Sequence, residues 1–138
     1  MANEAFQAVR TVLHADRSIA AAIVYGSGAR GQLRADSDLD LAVLYSSESA
    51  RAAANQDLLA QLGALGSAAG RDVHLVDLQT ADSALRRSIF SHGIRLFDRS
   101  NGALQQLERA TAVEYVDWEY ARGIIDAGLR RRLEHTLG

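Results

Sequence analysis

The sequence predicts a single compact α/β domain that ends in a helical tail. Short apolar runs that stop at glycine or other turn residues alternate with stretches of helical periodicity. The chain has 138 residues, which is enough for one hydrophobic core and too short for two enzyme-sized domains. It contains no internal repeat and no low-complexity linker, so one folding unit is expected.

Helices and strands alternate along most of the chain. Phe6, Val9, Val12 and Leu13 recur at helical spacing, whereas Ile19–Tyr25 is an uninterrupted apolar run typical of a buried strand. The predicted elements, in order, are a helix at 3–15, strand Ile19–Tyr25, a glycine-rich turn Gly26–Gly31 continued by a short helix at Gln32–Arg34, strand Asp38–Tyr45 after the turn residues 35–37, a helix at 48–66, strand Asp72–Leu78, a helix from Thr80 or Asp82 to Phe90, strand Ile94–Phe97 and a helix at 103–133. Residues 1–100 are assigned to the core, and residues 101–138 to a helical extension of the same domain.

Charge and cysteine content exclude several kinds of chemistry. The 15 basic residues are all arginines, so neither a lysine Schiff base nor the lysine of a phosphate-binding P-loop is available. The absence of cysteine excludes disulfides, zinc–thiolate sites and thiol nucleophiles. A net charge of −2 gives no general attraction to nucleic acid, so direct nucleic-acid binding is not expected.

The N-terminal segment predicts neither a membrane span nor a signal peptide. It carries Glu4 and His14 within its apolar stretch, and the sequence has no run of about 18 apolar residues. We therefore expect a soluble protein located in the cytoplasm, with no membrane partner.

The chemistry-bearing segment is YGSGARGQLRADSDLDLAVL, from Tyr25 to Leu44. Asp38 and Asp40 are two residues apart at the start of a strand, so both carboxylates should point to one face. Two like charges there favour a bound cation, and magnesium prefers such carboxylate ligands. Asp72 opens the next strand and is the candidate third carboxylate. Asp77, of opposite parity and further along, is the poorer candidate.

Gly26 and Ser27 precede these acids at a strand-to-helix turn. Backbone N–H groups at such a turn, together with the Ser27 hydroxyl, can hold phosphate oxygens. A phosphate site followed by paired acids suggests nucleotidyl transfer from a nucleoside triphosphate. Two metal ions would stabilise the attacking and leaving oxygens.

Gly26-Ser27, ten intervening residues and Asp38-x-Asp40 resemble the signature of the polymerase-β-like nucleotidyltransferases, and the longer string is similar to the minimal nucleotidyltransferase (MNT) group. The resemblance implies an α+β fold with a small mixed sheet flanked by helices. It implies that Asp38 and Asp40 bind Mg²⁺ and that Asp72 assists the attacking hydroxyl. It also implies that Gly26 and Ser27 hold ATP. Arg30 and Ser37 match two further motif positions near the phosphates, so the resemblance implies the same role for them. Family members often carry a bulky or basic residue where this chain has Gly28, which predicts a looser phosphate loop.

Other interpretations of the same residues fail at specific positions. Gly26-x-Gly28-x-x-Gly31 with Glu48 fits a dinucleotide-binding fingerprint, but the segment after it is too short for a crossover helix. A Walker A motif would need lysine where Gln32 stands, and a calcium loop beginning at Asp36 would need glycine at Leu41. The plain alternative is that Asp38 and Asp40 only cap the start of a strand and keep it solvated. His74 and His92 are predicted to be structural, apart from the site.

Within this family, a stand-alone chain of this size resembles the MntA-type antitoxins, which are paired with HEPN-domain ribonuclease toxins. The resemblance implies an antitoxin that transfers AMP from ATP to a tyrosine hydroxyl of the toxin. Two alternatives stay open: adenylylation of a small hydroxyl compound such as an aminoglycoside, and a non-catalytic antitoxin that acts by binding alone.

Overall fold

The structure is a computed structural model, and it describes residues 2–32, 34 and 37–137. Within these residues the chain forms five helices and four strands: α1 (Ala2–Ala15), β1 (Ile19–Tyr25), β2 (Leu39–Tyr45), α2 (Glu48–Gln56), α3 (Leu58–Ala69), β3 (Val73–Asp77), α4 (Ser83–His92), β4 (Ile94–Asp98) and α5 (Ala103–Leu137). Ala35 and Asp36 of the predicted turn, and Leu33 of the predicted short helix, lie outside the described residues.

The four strands form one mixed sheet in the order β3-β2-β1-β4. β1 is antiparallel to both β2 and β4, and β2 is parallel to β3. This confirms the predicted α+β fold with helices flanking a small mixed sheet. The antiparallel pairing of β1 with β2 also excludes the dinucleotide-binding unit, which needs parallel strands joined by a crossover helix.

The sheet is buried on both faces. One face packs under α1 and α3 in a cluster that contains Val9, Leu13, Val24, Leu39, Leu41, Val43 and Leu65. The other face packs against α4 and the start of α5 through Ala21, Ile23, Ala42, Leu44, Ile89 and Leu104. Alternate residues of β1 and β2 therefore enter different cores, which is why these strands are apolar without a break.

The single helix predicted at 48–66 is wrong, because the structure has two helices separated at Asp57. Ser47 caps α2 by accepting a hydrogen bond from the N–H of Ala50, and α2 contributes no buried residue. α3 buries Leu65 and ends at Gly70 in the left-handed conformation. The interruption allows α3 to pack on the sheet independently of the exposed helix α2.

α4 begins and ends at clear signals, and it is joined to α5 by an ion pair. Asp82, one of the two predicted caps, accepts a hydrogen bond from the N–H of Leu85 at 2.8 Å, and α4 ends at Gly93. The buried guanidinium of Arg86 lies 3.0 Å from the carboxylate of Glu114 and so joins α4 to α5. α5 is continuous over 35 residues.

No helix in the described part of the chain has the length and apolar character needed to cross a membrane.

The strands beside the site start one residue later than predicted. β2 begins at Leu39 and β3 at Val73, so Asp38 and Asp72 lie just before their strands.

The predicted short helix is wrong for its two described residues, since Gln32 and Arg34 have irregular backbone. The preceding turn reaches Gly31, whose φ of +70° takes the chain out of the right-handed helical region.

Gly93→Ala is expected to lower the free energy of unfolding by about 3 kcal/mol, the upper end of the range for overpacking. A methyl group there would lie 2.4 Å from the carbonyl oxygen of Ile89 and 2.5 Å from Cγ2 of Ile23. Gly63→Ala, inside α3, is the control, because nothing lies within 4 Å; it should stabilise by about 0.5–1 kcal/mol. Urea unfolding measures both, and equal effects would contradict the packing around Gly93.

Candidate active site

The site lies where β1 ends and β2 and β3 begin. Asp40 is paired with Tyr25 on one side and with His74 on the other, across the central strand β2. The backbone N–H of Leu39 donates to the carbonyl oxygen of Asp72 at 2.9 Å, which continues the β2–β3 pairing towards Asp38. Three neighbouring segments thus bring their polar residues to one end of the sheet.

The carboxylates of Asp38 and Asp40 converge on one imidazole. Nε2 of His74 lies 3.2 Å from Oδ2 of Asp38, and its Nδ1 lies 3.4 Å from Oδ1 of Asp40. The two acids therefore share a face, as their spacing predicts. The prediction that His74 lies apart from the site is wrong. A sequence signal did exist, since His74 has the same strand parity as Asp72, but parity alone does not reveal the register between strands.

The second oxygen of Asp40 lies against Gly26. A Cβ built on Gly26 would come within 2.5 Å of Oδ2 of Asp40, and Gly26 has φ +69°. Both the backbone conformation and the close approach of the carboxylate therefore require glycine at this position. The Gly26–Ser27 turn and the acidic pair are in direct contact.

The turn itself is held by short-range hydrogen bonds and by the core. The N–H of Gln32 donates to the carbonyl oxygen of Ser27 at 2.9 Å. Gly28 is buried, and a Cβ there would lie 3.1 Å from Cγ1 of Val24 and 3.4 Å from Cδ1 of Leu39. The prediction of a looser loop at Gly28 is therefore wrong, because the missing side chain lets the turn pack directly on the strands.

An open cleft of about 670 Å³ adjoins this turn and is lined by Ser27, Gly31, Gln32, Arg34 and Ser37. The hydroxyl of Ser37 accepts a hydrogen bond from the N–H of Arg34 at 3.1 Å. Arg71 donates to the carbonyl oxygens of both residues, at 2.6 Å and 3.2 Å. Sequence reasoning missed Arg34 as a cleft residue and Arg71 as the side chain that ties this loop to β3.

Arg30, predicted to lie near the phosphates, is exposed on the turn. Its backbone N–H donates to the carbonyl oxygen of Gly26. The cleft that contains Ser27 and Ser37 is lined by Arg34 instead. A phosphate-binding role for Arg30 stays a prediction.

Asp72 and Asp77 differ in their surroundings. Asp72 is exposed at the mouth of a second cleft, of about 640 Å³, which it lines together with Arg71, His74 and residues of α3. Asp77 lies at the far end of β3, where its carboxylate is 2.6 Å from Nε of Arg51. Asp77 is thus already paired, and the role of Asp72 as third carboxylate stays a prediction.

The donor set suits a hard divalent cation. Two carboxylates that face the same space provide the oxygen ligands that Mg²⁺ prefers, and they repel each other when no cation lies between them. Over the described residues, no three histidine or acidic side chains are spaced to ligate one ion as they stand. His74 lies between the two acids, so its ring must turn before a shared ion can enter.

The hydroxyl of Tyr25, which lies beside Asp40, has a raised pKa. Burial raises the pKa of its hydroxyl above the usual value of 10.0, and the negative charge of Asp40 raises it further. The phenol therefore stays neutral through the physiological range beside the acidic pair.

A sequence model of the family described as "Polymerase beta, Nucleotidyltransferase" matches residues 7–102, which contain the turn and Asp38, Asp40, Asp72 and Asp77. The chain belongs to this family.

Solved structures share the fold of this nucleotidyltransferase. A chain of a toxin–antitoxin complex with AMP-PNP has a TM-score of 0.68 at 23% identity, over 90% of this chain and 97% of that chain. A chain of the complex between tri-AMPylated Shewanella oneidensis HEPN toxin and MNT antitoxin has a TM-score of 0.65 at 21% identity, over 94% and 98%. A minimal nucleotidyltransferase has a TM-score of 0.53 at 31% identity, over 64% and 86%. No curated protein matches the chain.

Gly26→Ala should destabilise the nucleotidyltransferase more than Gly31→Ala. Both glycines have φ near +70°, so alanine costs about 1–2 kcal/mol at each. Only at residue 26 does the new methyl group also meet Asp40, since nothing lies within 4 Å of Gly31. Urea unfolding should therefore show a further loss of about 1–3 kcal/mol for Gly26→Ala.

The contact with Asp40 can be tested by a double-mutant cycle. Asp40→Ala removes the carboxylate that the new methyl group would meet, so it should restore most of the extra loss in the Gly26→Ala background. Strict additivity of the two substitutions would show that the turn does not pack against Asp40.

Proposed function

We propose that this nucleotidyltransferase is an antitoxin that transfers AMP from ATP to a tyrosine hydroxyl of a cognate HEPN ribonuclease toxin and thereby neutralises it. The observation that carries the proposal is the convergence of the Asp38 and Asp40 carboxylates beside the Gly26–Ser27 turn. The likeness in fold to chains of toxin–antitoxin complexes, one with AMP-PNP and one with an AMPylated HEPN toxin, supports this substrate and this acceptor.

The two clefts suggest how the substrates are arranged. The cleft with Ser27, Arg34 and Ser37 offers hydroxyls and a guanidinium to the triphosphate of ATP. The cleft on the β3 side, lined by Asp72 and His74, is open to an acceptor hydroxyl. Asp38 directly follows Ser37 of the first cleft, and its carboxylate contacts His74 of the second, which suits an in-line displacement at a phosphate held beside the carboxylates.

The proposed reaction breaks a phosphoanhydride bond of ATP and forms a phosphoester bond to tyrosine. The tyrosine oxygen bonds to the α-phosphorus of ATP, and the bond from that phosphorus to the bridging oxygen of the β-phosphate breaks. Pyrophosphate leaves, and the hydroxyl proton passes to a carboxylate, Asp72 in the sequence prediction, and then to water. Bound Mg²⁺, held by Asp38 and Asp40, would stabilise the charge on the phosphate oxygens.

The exposed part of α5 provides a surface for the toxin. Val113, Val116, Tyr120 and Ile124 follow one another at spacings of three, four and four, and each is more than half exposed. At about 100° per residue they form one stripe on the side of α5 opposite Leu104 and Thr111, which are buried. A continuous exposed apolar stripe of this kind is typical of a protein-binding surface.

Asp38→Asn and Asp40→Asn should each reduce transfer of labelled AMP to the toxin by at least about 100-fold. The cause is loss of a carboxylate from the pair that holds the cation, while the fold should persist because both side chains are partly exposed. The assay combines the chain, labelled ATP, Mg²⁺ and the protein encoded by the adjacent gene. Asp77→Asn, at the far end of β3, is the control and should retain transfer.

The acceptor and the mode of neutralisation are decided by the same variants. Label on an aminoglycoside and none on the toxin would overturn the proposal in favour of a small-molecule enzyme. Full neutralisation of the toxin by Asp38→Asn and Asp40→Asn would overturn it in favour of a binding antitoxin.

Ile124→Glu should weaken binding to the toxin, because the new charge would be buried when the toxin covers the stripe. ATP binding should be unchanged, because residue 124 lies far along the chain from the residues of the active site. Ile125→Glu is the matched control: the two isoleucines are 56% and 57% exposed, and Ile125 lies about 100° around the helix from Ile124. Pull-down or calorimetry with purified toxin measures the difference. Equal losses for both variants would contradict docking through this stripe.

A further inference from the structure

The residue of β3 that lies beside the acidic pair is a histidine. Register pairs Asp40 with His74, and each ring nitrogen of His74 lies within 3.5 Å of one of the two carboxylates. Asp72 is exposed, and the contacts in the described part of the chain join its backbone, not its carboxylate, to β2. The position nearest to both acids is therefore occupied by imidazole and not by a third carboxylate.

We propose that His74 is the third side chain of the cation site and that it shifts the preference of this enzyme from Mg²⁺ towards Mn²⁺. The inference rests on the proposed nucleotidyl-transfer site, and it concerns which ion that site selects. Asp72 then lies outside the ligand set, which departs from the sequence prediction.

The shift in preference follows from ligand chemistry. A third carboxylate would add a hard, charged oxygen, which suits Mg²⁺, whereas imidazole offers a neutral nitrogen that transition ions accept more readily. Replacing the acid by His74 also leaves two negative side chains where three would stand. The loss of charge weakens the binding of both ions, whereas the change from oxygen to nitrogen weakens Mg²⁺ more than Mn²⁺, an ion that takes oxygen and nitrogen together.

His74 is free to turn towards an ion. Its side chain is 62% exposed, and its polar contacts over the described residues are those with Asp38 and Asp40. The ring also lines the open cleft on the β3 side, so space exists for it to rotate. No buried hydrogen bond has to break when the ring leaves its position between the carboxylates.

The test measures cation binding directly, with inorganic tripolyphosphate as a probe that contains no nitrogen. Electron paramagnetic resonance counts bound Mn²⁺, competition with Mg²⁺ gives the relative affinity, and electron spin echo modulation detects a ligating imidazole. We expect imidazole modulation in the wild-type protein and its loss in His74→Asp. We also expect His74→Asp to shift the affinity ratio towards Mg²⁺ by on the order of 10-fold.

Matched variants make the result decisive. Asp72→Asn and His92→Asn should leave both the modulation and the ratio unchanged, and His74→Asn should lose the modulation. Circular dichroism and thermal unfolding check that each variant is folded. Bound Mn²⁺ without imidazole modulation in the wild type, or a ratio that His74→Asp leaves unchanged, would overturn the role of His74. A lower affinity for Mg²⁺ relative to Mn²⁺ in Asp72→Asn would instead return Asp72 to the ligand set.

Failure here is distinguishable from failure of the proposed function. If wild-type protein and Asp38→Asn both bind no Mn²⁺, the cation site itself is refuted, and this inference falls with it. If Mn²⁺ binds in an Asp38-dependent way without nitrogen, only the role of His74 is refuted.

Discussion

The register of the central strand β2 is the constraint on which the site depends. β2 is hydrogen-bonded on both sides, and apart from Asp40 all its residues are buried. A shift of one residue would exchange the two faces of the strand and place charged groups in the core. The packing of Leu39, Leu41 and Val43 under α1 and α3 therefore also fixes where Asp38 and Asp40 point.

The glycine-rich turn is part of the core and not a loop resting on it. Gly28 lies against Val24 and Leu39, and Gly26 lies against the carboxylate of Asp40. Small residues at these two positions let the turn and the acids pack directly against each other. Preorganisation of this kind reduces the ordering that substrate binding must otherwise accomplish.

In the proposed function, chemistry and recognition lie in different parts of the chain. The sheet end, the turn and the two clefts are formed by residues before α4, whereas the apolar stripe begins at Val113, in the first half of α5. The first part of α5 packs on the sheet through Leu104 and on α4 through the Arg86–Glu114 pair. That anchorage positions the exposed part of the helix relative to the site.

The sequence by itself determined the elements and the main acidic pair. An unbroken apolar run predicted β1, a cap at Asp82 was one of the two predicted starts of α4, and the two-residue spacing predicted that Asp38 and Asp40 share a face. These features follow from local periodicity and local hydrogen bonding, which neighbouring residues specify. The break at Asp57 was missed because alanine and leucine favour helix on both sides of it, and packing of Leu65 decides where the axis changes.

Only the tertiary structure decided which residue accompanies the acidic pair. Strand parity places Asp72 and His74 on one face of β3, but the parallel register with β2 brings His74 beside Asp40. Register between strands separated by two helices is set by the packing of both cores, and a sequence read along one chain does not contain it. The close packing of Gly28 and the tie from Arg71 to the Arg34–Ser37 loop likewise arise from contacts between distant segments.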